Sequence, residues 1–362
     1  MLATAAFALG LFAAPAAVPA AAPAATNLRF ETKDGTLYVR RGKARAAIDV
    51  EDAHPDMYPD LALGVTAKAD GTSWTLKVDT NCQGKKTLRF STLALEAQLE
   101  GAAASALARR KQWDAAATGF ARAVALDPST AKAATDLAIA QLRGGHRPEA
   151  IATLVASAPR DRVWVVARVA IDRQLAPVAS APELRALAAR TPGHATLAKL
   201  RKAGVAFSVD GGLVAWDRIL GNAMTEGPEP MELRVVDVAT GRLLARLPYR
   251  DRDEKGVDSA LADLGFELEK VRSRDLSTPT QTKEPDMRGT VEDIRVVVKG
   301  GRVRLSADGR PVGESRIGSP FTSGWAAKVR GGVLVGAAVN IGDGCGAWVY
   351  DDVVWIPLTA AR

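Results

Sequence analysis

AQLEGAAASALARRKQWDAAATGFARAVALDPST, residues 97–130, and AKAATDLAIAQLRGGHRPEAIATLVASAPRDRVW, residues 131–164, decide how this 362-residue chain is read. Ala116, Phe120 and Ala123 recur at helical spacing, and their run closes at Asp127-Pro128, because proline cannot continue a helix. Ala150, Leu154 and Ser157 repeat that spacing, with Ala150 standing 34 residues after Ala116. Arg110-Lys111-Gln112-Trp113-Asp114 and Gly144-Gly145-His146-Arg147-Pro148-Glu149 break the apolar pattern inside each half, and Pro148 is placed for the first turn of a helix. Each half therefore reads as two helices joined by a short turn.

Helix–turn–helix units at this period resemble tetratricopeptide repeats, one over 97–130 and one over 131–164. Leu137-Ala138 supplies the leucine–small pair of that pattern. The sequence departs from it at Glu100 and Gln141, where aromatics are common, and at Arg162, where the closing proline falls. Helices over 163–175 and 183–190 are expected to cap the array; Val163, Val166, Ala167, Ala170 and Ile171 give the first an apolar stripe. The resemblance implies a scaffold that binds a protein or peptide partner in a groove lined by the first helix of each unit. Carried over by phase, the lining is Gln98, Ser105 and Arg109, then Lys132, Thr135, Asp136, Ile139 and Arg143. Gly101 and Ser105 stand where some members place a clamp for a peptide carboxylate. Arg109, Lys132 and Arg143 would favour an acidic ligand through charge-assisted hydrogen bonds.

On both sides the period changes from helical to two. Thr32–Thr36 carries an Asp34-Gly35 hairpin turn, and strands follow over 45–50, 64–69, 73–79 and 87–91. Beyond residue 204, Asp210-Gly211 and Asp237-x-x-Thr240-Gly241 punctuate strands, so 204–247 resembles a single blade of a WD-type propeller. The pattern occurs once, and the segment is therefore read as a twisted antiparallel sheet. Further strands are expected over 294–299, 302–306, 325–329, 333–340 and 347–358. One short helix is expected over 257–264, and the polar stretch 272–293 reads as a mobile loop.

The fold class expected is α+β and multidomain, with tetratricopeptide-like helical hairpins between two antiparallel β domains. Its boundaries are a signal peptide at 1–25, a small β domain at 27–92, a helical domain at 93–203 and a β-rich domain at 204–362. The leader is inferred from 25 uncharged residues with an apolar run, although a basic start is missing. That run is too short and too proline-broken for a transmembrane anchor, so a periplasmic or secreted location is expected. Net charge is +7, but the basic residues are scattered without interleaved aromatics, which argues against nucleic acid as a partner.

The search for chemistry yields no catalytic residue, metal site or cofactor. His54 lies in a loop with Glu51, Asp52, Asp56 and Asp60 that matches no calcium-loop spacing. Cys82 and Cys345 are the two cysteines. They read either as a disulfide tying the two β segments, worth about 5 kcal/mol in the chain-entropy model, or as independent buried residues. The function expected is that of an exported, non-enzymatic adaptor with a tetratricopeptide-like groove. Two alternatives stand beside it. One is an envelope hydrolase with its site near Gly342-Asp343-Gly344-Cys345-Gly346; the other is a carbohydrate surface on the aromatic strands bearing Trp325, Trp348, Tyr350 and Trp355. For those aromatics, core packing is the favoured use.

Overall fold

The computed structural model describes residues 27–48, 62–80, 84–129, 131–219, 231–277, 286–317, 321–341 and 348–359. The leader, the acidic loop around His54, both cysteines and the glycine-rich turn 342–346 lie outside the described residues. What is described is a mixed α and β structure with five antiparallel sheets.

Two three-stranded sheets open the chain. Arg29–Lys33, Thr36–Arg41 and Ala44–Ala47 form one; Ala62–Asp70, Ser73–Thr80 and Gly84–Ser91 form the other. Asp34 and Gly35 both take positive φ, 50° and 76°, as the expected two-residue hairpin turn demands. Leu37, Val39, Leu76 and Leu88 from the two sheets close over Leu95 and Leu99 of the first helix, Thr92–Arg109. Ser91 ends the last strand and caps that helix, accepting a hydrogen bond from the Ala94 N–H at 3.0 Å.

Trp113–Leu126, Ala131–Arg143 and Arg147–Ile171 follow, each packed on its predecessor. The breaks fall at 110–112 and 144–146, where the sequence interrupts its apolar period. Alanine and glycine let the helices approach closely: a methyl group on Gly119 would stand 2.9 Å from the Ala104 Cβ. The last helix is interrupted rather than replaced. Pro159 lies inside it and Asp161 leaves helical geometry at φ −137°, ψ 48°, so the expected helix over 163–175 is the second arm of a kinked helix ending at Ile171. The helix expected over 183–190 shrinks to Pro182–Arg185. Beyond it, Ala189 N donates to Asp263 O and Gly193 N to Ala262 O, which pulls the backbone onto the helix Glu254–Asp263 instead.

The remainder is layered. A five-stranded sheet runs in the order Leu243–Tyr249, Met231–Asp237, Leu213–Ile219, Ala206–Ser208, Phe266–Leu268. Its first face carries Leu213, Ala215, Leu233, Val235 and Leu247 into a core shared with Val163, Val166 and Ile171 of the kinked helix and with Leu197, Leu200, Val257 and Leu261. That core joins residues on both sides of position 203. The opposite face packs Phe207, Val214, Trp216 and Val236 against Ala327, Val329, Leu334 and Trp355 of a middle sheet. The middle sheet is ordered Arg274–Leu276, Phe321–Val329, Gly332–Ile341, Trp348–Pro357. An outer sheet of Met287–Val291, Ile294–Lys299, Arg302–Ala307 and Arg310–Arg316 covers its far side through Val296, Val298, Val303 and Ile356.

The stretch expected as a loop over 272–293 is therefore corrected in part. Residues 274–276 pair with 324–326 and residues 287–291 with 294–298. These strands are short and polar on their open face, so the apolar alternation that marks the others is weak in them.

Candidate binding cleft

The kinked helix places its second arm between the helical segment and the layered sheets. On that arm Arg168 and Asp172 stand one turn apart and pair, Nη2 to Oδ2 at 2.6 Å. Lys132 and Asp136 stand at the same spacing on Ala131–Arg143, and the charges of Lys132, Arg168 and Asp172 all act on the Asp136 carboxyl. Burial raises its pKa; Lys132 and Arg168 pull it back, and Asp172 adds to the rise. Among the described residues, the buried Nε of Arg168 and Nε1 of Trp164 find no hydrogen-bond acceptor, and the buried Oε1 of Gln98 finds no donor. The Arg168 guanidinium lies 5.8 Å from the centroid of the Trp164 ring.

Beside these residues opens a cleft of about 340 Å³ whose charged lining is Arg168, Asp172, Arg173, Arg252 and Asp253, with Ile171 and Pro248 as its apolar part. Arg173 donates from Nη2 to the Arg252 carbonyl at 2.5 Å and sits 3.7 Å from Asp253. Arginine forks outnumber the carboxylates around the opening, so the lining suits a ligand that brings acceptors.

The eight positions expected to line one groove divide into three groups. The charges of Lys132, Arg168 and Asp172 act on Asp136, but the lining of the cleft includes neither Lys132 nor Asp136. Thr135, 1% exposed, turns its hydroxyl onto the Lys132 carbonyl at 2.7 Å, and Ile139 packs on the cluster of Leu154, Val165 and Val169; the cleft lining includes neither. Gln98 and Ser105 are half-buried on the first helix, whereas Arg109 and Arg143 are exposed in the last turns of their helices. Lys132 and Arg143 are about 16 Å apart along one helix at 1.5 Å per residue, so they do not serve one ligand charge together.

Sequence reasoning missed Arg168, Asp172, Arg173 and Arg252. The first three follow the kink, whose position sets their direction, and Arg252 arrives from the far side of position 203. The 34-residue period does not single out Arg168, which stands one period beyond Ala134, a buried residue outside the expected lining.

On the other flank of the same helical arm lies a cavity of about 450 Å³, lined by Val165, Val169, Leu184, Arg185, Leu187 and Asp263. Burial raises the Asp263 carboxyl pKa, and Arg185 opposes it. Two polar networks are folded into the five-stranded sheet. Glu232, 2% exposed, receives Arg234 Nε at 2.6 Å on one oxygen and Arg246 Nη2 at 2.8 Å on the other. At one end of the opposite face, Asp217 accepts from the Tyr249 hydroxyl and, at 2.9 Å, from Arg201, which also reaches Glu254 at 2.8 Å. Burial and the hydrogen bond to Asp217 push the Tyr249 phenol up. Burial works against the Arg201 charge, and its bonds to Asp217, Tyr249 and Glu254 outweigh it, raising its pKa.

The aromatic strands serve as core where their side chains are described. Trp355 is 3% exposed, stacks edge-on to Phe207 at 5.6 Å and donates Nε1 to the Val238 carbonyl at 3.0 Å. Trp325 lies over Gly336, where an added methyl would come within 2.3 Å of the ring. Among the described residues no helix is long and apolar enough to cross a membrane.

Comparison with protein-family models, with curated proteins and with solved structures finds no match for the chain.

Proposed function

We propose that this chain is a non-enzymatic binding protein that docks an extended, acidic segment of a protein partner on its tetratricopeptide-like helical middle. One observation carries the reading: the buried Nε of Arg168 has no acceptor among the described residues and stands at the edge of a cleft lined by further arginines. A buried donor without a partner costs about 1–3 kcal/mol, and a ligand carboxylate or carbonyl supplies what it lacks. Arg173 and Arg252 extend the cationic lining, while Asp172 holds Arg168 in place and the Asp136 charge acts on it from beside the cleft. The uncharged run at 1–25 supports an exported protein working in the periplasm or outside the cell.

Titration calorimetry of the full chain with an aspartate- and glutamate-rich peptide tests the reading, with a lysine-rich peptide of equal length as control. Arg168→Gln and Arg252→Gln should each weaken the acidic peptide by about tenfold or more, the worth of a charge-assisted hydrogen bond. Equal affinity for both peptides, or no loss in either variant, would remove the cleft from the function.

A further inference from the structure

The outer sheet turns one face to the core and the other to solvent, and the solvent face is crowded with cations. Ile294, Val296 and Val298, with Val303 and Leu305, point inward; Arg295 and Lys299, with Arg302 and Arg304, alternate outward and are exposed. The register lines them up. Lys299 stands opposite Arg302 and Arg302 opposite Arg316, so three cations share one cross-strand row. In the next row Arg288 and Arg304 flank Val297, and Arg295 lies between Thr290 and Ser306 in the third. Arg316 has a partner of its own; for the other five cations the carboxylates found among the described residues are Asp286, 3.3 Å from Arg288 and 3.9 Å from Lys299, and Glu314, paired in register with Arg304. Like charges directly opposite one another destabilise a sheet, so folding alone does not account for the row.

We propose that this face docks on an anionic lipid bilayer. The cations form a block three rows deep across four strands rather than a track. A linear polyanion needs a track, whereas acidic lipids diffuse sideways until their headgroups meet each charge. Most of the cations are arginine, whose fork fits phosphate oxygens in pairs. Between them stand Thr290, Val297 and Ser306, which offer no ring on which a base or sugar can stack. The exposed large apolar side chains among the described residues, Leu63, Leu93 and Val209, lie on other elements, so the contact rests on charge without insertion. It is therefore reversible and weakened by salt. The outer sheet lies at the far end of the layers from the helices, which leaves the cleft free for its own ligand.

Co-sedimentation of the full chain with vesicles tests this. The protein should pellet with phosphatidylcholine–phosphatidylglycerol vesicles at low salt, stay in solution with phosphatidylcholine alone, and be released by high salt. Arg302→Ser combined with Arg304→Ser should weaken the partition by roughly ten- to thirtyfold, at about one unit of surface attraction per charge. The melting temperature of the same variant should stay level or rise, which separates lost docking from lost fold. No sedimentation with the acidic vesicles, or equal sedimentation of the variant, would overturn the proposal. So would tighter retention on heparin or duplex DNA than on the vesicles at the same salt, because that result assigns the face to a linear polyanion.

Discussion

Met231–Asp237, MELRVVD, and Arg302–Ala307, RVRLSA, alternate apolar and charged residues in the same way, yet one buries its charges and the other displays them. Read alone, each is a strand with one wet face. The difference comes from the next layer. The middle sheet packs at Trp216 and Val236 on the face that carries the first strand's charges, and Glu232 and Arg234, on that same face, are 2% and 5% exposed. There each guanidinium is fastened to a carboxylate oxygen. The outer strand has no described layer beyond it; its Arg302 faces Lys299 and Arg316, and its Arg304 faces Val297 and Glu314. Burial forces arginine to be paired; exposure does not, and an unbalanced block of charge remains as a surface for something else.

The sharpest way to break this comparison is to remove the carboxylate from the inside. Glu232→Ala leaves the Arg234 and Arg246 charges buried without it, and loss of one partner from such a cluster typically costs about 3–5 kcal/mol. Urea denaturation followed by tryptophan fluorescence measures it, Trp216 lying in register beside Arg234. A loss below about 1 kcal/mol, the level of an exposed pair, would mean that the interior pairing is not what distinguishes the two strands.

How much of this was legible in the residues follows from the same pair. Periodicity reports a side chain's direction relative to its own element, so strand alternation and the helical breaks at 110–112 and 144–146 could be read from the sequence. The Asp34-Gly35 turn was equally legible, because its backbone requirement is local. What covers a face is a long-range fact. Nothing in MELRVVD announces a second sheet above it, and nothing in the helical repeat announces that Thr135 and Ile139 are covered by the chain's own later residues. The cleft was hardly legible for that reason. Phase led to Lys132 and Asp136, which stand outside its lining, whereas Arg168 depended on where Pro159 and Asp161 bend the helix, and Arg252 on a contact across position 203.

A smaller effect sharpens the comparison at the end of the buried strand. Asp237 Oδ1 accepts from the Thr240 N–H and hydroxyl, both at 2.7 Å, and these bonds hold its carboxyl below the ordinary aspartate value of 3.8. A depressed pKa in the folded state adds stability that is present above 3.8 and is lost as pH falls through the folded value. Asp210, bonded to the Ser208 hydroxyl and the Gly212 N–H, is shifted in the same direction and adds to the same acid limb. Asp237→Ala should therefore lower the urea midpoint at neutral pH and narrow its gap to the parent protein below pH 3.8. A gap that stays constant across that range would show that the turn is held by its backbone alone.

The smallest effect belongs to the exposed strand, and it discriminates best because its sign is unusual. Arg302 has Lys299 on one side and Arg316 on the other. Replacing it with serine removes one cation from the row, where surface substitutions ordinarily stay within about 0.5 kcal/mol. Relief of like-charge repulsion should bring the change out level or slightly stabilising, read as an unchanged or higher melting temperature at low salt. Added salt should shrink the gain, since screening already weakens the repulsion that serine removes. A clear loss of stability would mean that Arg302 is held as firmly outside as Arg234 is inside, and the contrast between the two strands would then collapse into a difference of exposure only.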